Sequence, residues 1–141
     1  MSSGLPHSRR HAPTSAQRLA SRILQRVEID HSPLKVVVGT EAGPIGQPWL
    51  TVIIDYYSRM VTGFCLGFEP PSYGVIMEAL RHAILPKSYL AERYPRVQGS
   101  WPCFGLPETL VCDRGSDLTS KALEDAALQL GIHLDFNPPR T

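Results

Sequence analysis

The stretch ETLVCDRGSD, residues 108–117, decides how the rest of this 141-residue chain is read. Its apolar run Leu110-Val111-Cys112 stops on Asp113 and then meets Gly115. An acid at the end of a buried strand is poorly placed for packing. It is well placed to hold a cation, because open α/β sheets bind ligands just beyond the carboxyl ends of their strands. On its C-terminal side, DLTSKALEDAALQLG (117–131) predicts a helix. Thr119 or Ser120 would cap it, Leu123, Ala126, Ala127 and Leu130 would form its buried stripe, and Gly131 would end it. IHLDF (132–136) then alternates as a strand.

On its N-terminal side lies a long connection, 86–107, broken by Pro95, Gly99, Pro102, Gly105 and Pro107. Before that, SYGVIMEALRHAIL (72–85) carries Val75, Ile76, Ala79, Leu80, Ala83 and Ile84 on one face of a helix. Three strand-like runs precede it. VEID (27–30) alternates, Pro33 interrupts it, and 34–38 resume as a β-former. The glycine-rich 39–47 reverses the chain into PWLTVIIDYYSR (48–59), and MVTGFCLGFE (60–69) follows after a turn. The order β-β-β-α-β-α-β predicts an α/β fold: a meander extended by two helical crossovers into a mixed five-stranded sheet.

Composition sets the frame. Apolar residues make up 43% and charged residues 19%, which is globular. Cys65, Cys103 and Cys112 are scattered and form no C-x-x-C pair, so neither a disulfide framework nor a zinc site is expected. No apolar run approaches the roughly 18 residues of a membrane span and no leader is evident, so a cytoplasmic protein without membrane contact is expected. Net charge is +1, but unevenly spread. Residues 1–26 hold five arginines and no acid, and 1–15 read as disordered. Residues 16–26 suit a short helix. This basic arm, followed by a core over 27–141, suits either a phosphate-rich partner or simple solvation.

Asp30, at the end of the first strand-like run, is the second acid of interest. Were its strand beside that of Asp113, two repelling carboxylates would meet, and a divalent cation would let both stay ionised. Oxygen ligands suit Mg²⁺ or Mn²⁺.

The segments EIDHSPL (28–34), GQPWLTVIIDYYSRMVTGFCLGFEPPSY (46–73), ALRHAILPK (79–87), PETLVCDRGSDLTS (107–120) and LGIHLDFNPPR (130–140) together resemble the integrase catalytic core of DDE transposases. They are most similar to the large transposases of Mu-like and Tn7-like elements. The resemblance implies a ribonuclease H-like fold and metal-dependent hydrolysis and strand transfer on DNA. It also implies two Mg²⁺ or Mn²⁺ ions held by an Asp on the first strand, an Asp on the fourth and a Glu on a later helix. The first two fall on Asp30 and Asp113. The third has no counterpart: 28 residues follow Asp113, and the last acid, Asp135, lies in the fifth strand. The expectation is a core truncated before its third acid, lacking a C-terminal helix, binding metal weakly and inactive alone. Two alternatives stand beside it. One is a DNA-binding or assembly module pairing with itself or with intact transposase. The other is a different ribonuclease H-like nuclease. Asp55 matches a structural position in the resemblance, and its carboxylate is expected to hold the following turn and pair with Arg59. Arg114 stands where an asparagine is common, and is a candidate phosphate clamp or a partner of Asp117. His31 and Arg59 are further candidate DNA contacts. Trp101 is either a partner surface or packed.

Overall fold

The computed structural model describes residues 20–113 and 121–137, without the side chains of 113 and 137. The arm over 1–19, Arg114, Asp117 and the cap at Thr119 or Ser120 lie outside the described residues.

The expected mixed sheet is present. Its strands are β1 (Arg26–Pro33), β4 (Trp49–Asp55), β5 (Val61–Gly67), β6 (Thr109–Asp113) and β7 (His133–Asn137), in the spatial order β5-β4-β1-β6-β7. The first three in sequence pair antiparallel, while β6 runs parallel to β1 and β7 parallel to β6. Parallel neighbours need a crossover, and two helices supply it: α1 (Tyr73–Ile84) between β5 and β6, and α3 (Lys121–Leu130) between β6 and β7. Ser72 caps α1 by accepting the Val75 N–H at 3.1 Å. The apolar face of α1 (Val75, Ile76, Ala79, Leu80, Ala83) is buried as its period predicts. Val27, Ile29, Ile53, Leu110 and Cys112 from the sheet meet Ile76, Leu80, Leu123 and Ala127 from the helices in one core.

Four local expectations change. Residues 34–37 form no strand; β2 (Val38–Thr40) pairs instead with β3 (Gly43–Gly46) as a separate hairpin. Pro33 ends β1 because it has no N–H to continue a ladder. Gly43 and Gly46, at φ 127° and 151°, then let the chain fold on itself. Residues 20–25 are bend and turn rather than helix. Leu24 sits there at φ 63°, a conformation incompatible with a continuing helix. The long connection holds a five-residue helix, α2 (Tyr89–Arg93). The buried stripe of α3 narrows to Leu123 and Ala127, with Leu130 37% exposed. Gly131 at φ 75° turns the chain away at that point, as its position predicts.

Gly63 sets the closest approach of β5 to α1. A Cβ there would lie 2.5 Å from Ala83 N and 2.7 Å from Ala83 Cα, both backbone atoms that cannot yield without moving the helix. Gly63→Ala is therefore expected to destabilise the chain by about 2 kcal/mol. The urea midpoint should fall with an unchanged m-value; an unchanged midpoint would refute the close-packing account.

Candidate active site

β1 (Arg26–Pro33) carries Asp30 opposite Val52 of β4, and the strand runs on past the acid to Pro33 rather than ending on it as its sequence suggests; its alternation is clean. Val27 and Ile29 are buried beneath the helices, while Glu28 and Asp30 take the intervening positions. The parallel ladder from β1 to β6 runs Arg26–Thr109, Val27–Leu110 and Glu28–Val111. The same offset, continued two residues, brings position 30 level with position 113. Both positions share the parity of Glu28 and Val111, on the sheet face away from α1 and α3. The ladder ends two residues short of the acids. β6 thus ends at position 113, while β1 runs on beyond Asp30 to Pro33 beside β4.

The rest of that face explains which acids are otherwise engaged. Val111 packs with Tyr56 and Ala20. Arg26 donates from Nη2 to Asp135 Oδ2 at 2.7 Å and lies over the Tyr56 ring, 5.4 Å from its centre. That hydrogen bond, with the Phe136 N–H donated to the same carboxylate, holds Asp135 below the usual carboxylate range. Asp135 is thereby an ion-pair partner rather than a third metal-binding acid. Burial, then the Glu28 carboxylate, push the Tyr56 phenol up.

Asp55 belongs to neither this end nor this face. It pairs in register with Val27, three residues along β1 from Asp30, roughly 10 Å at strand rise. Only 1% exposed, it accepts the Leu24 N–H (2.8 Å), the Ser58 N–H (2.8 Å) and the Ser58 hydroxyl (2.7 Å). The carboxylate is filled by Leu24 and Ser58 rather than by Arg59, correcting the expected ion pair. Arg59 donates only its backbone N–H to the Asp55 carbonyl, at 2.8 Å, and its side chain is exposed. Its place at the Asp55 turn keeps it away from Asp30.

His31 is likewise set apart. It alternates onto the helix-covered face, and its Nδ1 lies 2.7 Å from Thr51 Oγ1, its register partner on β4. Trp101 is packed rather than offered to a partner. Its Nε1–H donates to Val61 O at 2.9 Å, and its ring stacks on Phe64 at 5.9 Å. Sequence reading missed this cluster, which also includes His82, Tyr89 and Lys87. The available signal was Lys87 just past the end of α1: it is 7% exposed and donates to the Ala83 and Leu85 carbonyls, both at 3.2 Å. Among the described residues no group of three His, Cys, Asp or Glu is placed to hold a metal ion. The three cysteines are free. Among the described residues no helix is long and apolar enough to cross a membrane.

The model of the TnsB C-terminal domain matches residues 28–141. The chain belongs to the TnsB C-terminal domain family. The transposition protein TnsB of transposon Tn7 from Escherichia coli is 41% identical over 98 residues, covering 68% of this chain and 14% of that protein. The transposase for transposon Tn552 from Staphylococcus aureus is 34% identical over 120 residues, covering 85% and 23%. This TnsB-family chain thus spans 14% and 23% of the lengths of those two relatives. Its fold is shared with retroviral integrases. A chain of the simian T-cell lymphotropic virus intasome, solved with PP2A regulatory subunit B56 gamma, aligns at TM-score 0.55 and 17% identity, over 82% of this chain and 32% of the other. The HTLV-2 integrase catalytic core domain, solved with magnesium as a dimer, aligns at 0.52 and 14%, over 81% and 61%. At such identities the likeness is one of fold.

Proposed function

We propose that this chain is the part of a transposase catalytic core that supplies two of its metal-binding acids, Asp30 and Asp113. On this reading the fold is the ribonuclease H-like one. What supports this is the parallel β1–β6 register, whose offset, continued two residues past its last pair Glu28–Val111, would bring positions 30 and 113 level. An all-oxygen donor pair fits Mg²⁺ or Mn²⁺. Such ions, when bound, activate an attacking oxygen and stabilise a leaving one in phosphodiester chemistry. Asp30 would ligate from β1 and Asp113 from the end of β6. Arg114, one residue on, is a candidate to meet a DNA phosphate. The Arg26–Asp135 pair positions β1 against β7 and leaves Asp135 engaged. Two carboxylates hold Mg²⁺ less well than three, so weak binding is expected of these 141 residues, with no strand transfer by them alone.

DNA is the proposed partner, supported by the transposition role in the names of both relatives. Arg9, Arg10 and Arg18 of the basic arm agree with it, while Arg22 and Arg26 are paired with Glu108 and Asp135. The test is fluorescence anisotropy with duplex DNA in Mg²⁺, with a strand-transfer assay on the same samples. Binding should weaken as salt rises, with a linear slope of log affinity on log salt, and strand transfer should be absent. No binding at low salt would overturn the DNA reading. Efficient strand transfer would overturn the incomplete-site reading. Binding that persists unchanged when both aspartates are replaced by asparagine, with no Mn²⁺ bound by the parent chain, would favour a DNA-binding or assembly module instead.

A further inference from the structure

β5 is an edge strand, and edge strands carry outward N–H and C=O groups that invite pairing with another chain. Here side chains meet two of these groups. The Phe64 N–H donates to His82 Nδ1 at 3.0 Å, and the Val61 carbonyl accepts the Trp101 Nε1–H at 2.9 Å. The two side chains brace each other. The His82 and Trp101 rings meet edge to face at 5.0 Å, and Phe64 stacks on Trp101. The His82 Nε2 lies 2.8 Å from the Tyr89 hydroxyl. α1 and the connection 86–107 thus each meet one outward group of the edge.

The tautomer follows from the donors. A backbone N–H can only donate, so Nδ1 accepts and the ring proton sits on Nε2, donated to Tyr89 Oη. Protonation would place an Nδ1–H against the Phe64 N–H, two donors face to face, leaving the amide without an acceptor. We propose that His82 is a proton-operated latch: its neutral form accepts the Phe64 amide and braces Trp101 against the β5 edge, and protonation releases that amide and loosens the brace, while the Nε2–H keeps its bond to Tyr89.

The surroundings oppose charging the ring. From its own helix it is faced by Glu78 and Arg81, from the connection by Lys87, Tyr89 and Arg93, and from β5 by the Cys65 thiol. Of these charges, the Lys87 ammonium is the one that bears on the imidazole. Burial, then the Lys87 ammonium, hold the imidazole below its ordinary range. A histidine depressed in the closed state stays neutral there while the open state gains a proton. Closure is therefore complete above the free-histidine pKa of about 6.5 and is lost as pH falls below it toward the lower closed-state value.

The test follows amide exchange and NMR shifts of the 141-residue chain from about pH 7.5 to about pH 5, the histidine range. Protection of the Phe64 amide, corrected for intrinsic exchange, should fall roughly tenfold, the loss of one hydrogen bond. The Trp101 indole N–H should shift with the same midpoint as the His82 ring. The β1 amides should keep their protection, and His82→Gln should flatten the response. Should that variant fail to fold, the shared midpoint in the parent chain decides the matter. A flat Phe64 profile, a Trp101 shift with a different midpoint, simultaneous loss across β1, β4 and β5, or an unchanged titration in a folded His82→Gln chain would each overturn the latch.

Discussion

Asp55→Ala is expected to lower the unfolding free energy by about 3 kcal/mol. A chain of this size should then melt roughly 10 °C earlier. The reason lies in what the carboxylate holds. Leu24 N–H, Ser58 N–H and the Ser58 hydroxyl all donate to it in a site 1% exposed. Removing it leaves two backbone donors without an acceptor, and the full desolvation cost of each appears. The damage spreads, because Leu24 delivers the chain to the sheet. Its carbonyl accepts the Glu108 N–H at 2.8 Å, and Gln25 does the same for Thr109 at 3.1 Å, so β6 is seated through the same segment. Asp55→Asn should also destabilise, since its NH₂ must face one of those donors. Urea and thermal melts of both variants check this. Midpoints within error of the parent would show that Asp55 is not the anchor. The folded fraction of Asp55→Asn should bind Mn²⁺ as the parent does, which separates an anchoring acid from a metal ligand.

Asp30→Asn and Asp113→Asn should behave in the opposite way. Asp30 is exposed, so its melt should move little. Mn²⁺ affinity should instead fall by about a hundredfold in either variant, as expected when a metal ligand is lost. A shared ion makes a sharper demand. Once one carboxylate is gone the site no longer exists, so the double variant should bind no more weakly than either single one. Additive losses would mean two separate weak sites. Calorimetric titration of the four chains measures all of this.

The sheet was legible because its strands are short runs with clear periods. Val27 and Ile29 alternate around Glu28, Ile53 lies in a run apolar on both faces, and Ile132, Leu134 and Phe136 alternate after a helix ended by Gly131. What was not legible has a common cause: contacts between residues distant in sequence. The apolar 16–26 pattern gives no hint that Leu24 donates to a carboxylate 31 residues away and so adopts a left-handed turn. Val36, Val37 and Val38 are β-formers, but β4 takes the place beside β1, and they are left to a small hairpin or to no strand. Of the candidate site, Asp30 and Asp113 came from the ends of strand-like runs in the sequence and from family resemblance, and the offset that would bring them level, continued past the Glu28–Val111 pair, needed the parallel pairing of β6 with β1. His31 sits next to Asp30 in sequence yet across the sheet from it, since successive strand residues face opposite ways. The Phe64–His82–Trp101 cluster joins a strand, a helix and a loop, and no local pattern announces such a meeting.

The account stands on positions 30 and 113 holding one ion between them. Substoichiometric Mn²⁺ added to ¹⁵N-labelled chain tests this directly, because a bound paramagnetic ion broadens the amides nearest to it. Signals flanking Asp30 and those flanking Asp113 should fade first and in step, those around Asp55 should persist, and Asp30→Asn should protect both affected groups at once. Broadening of one group without the other, or of the Asp55 turn before either, would contradict it.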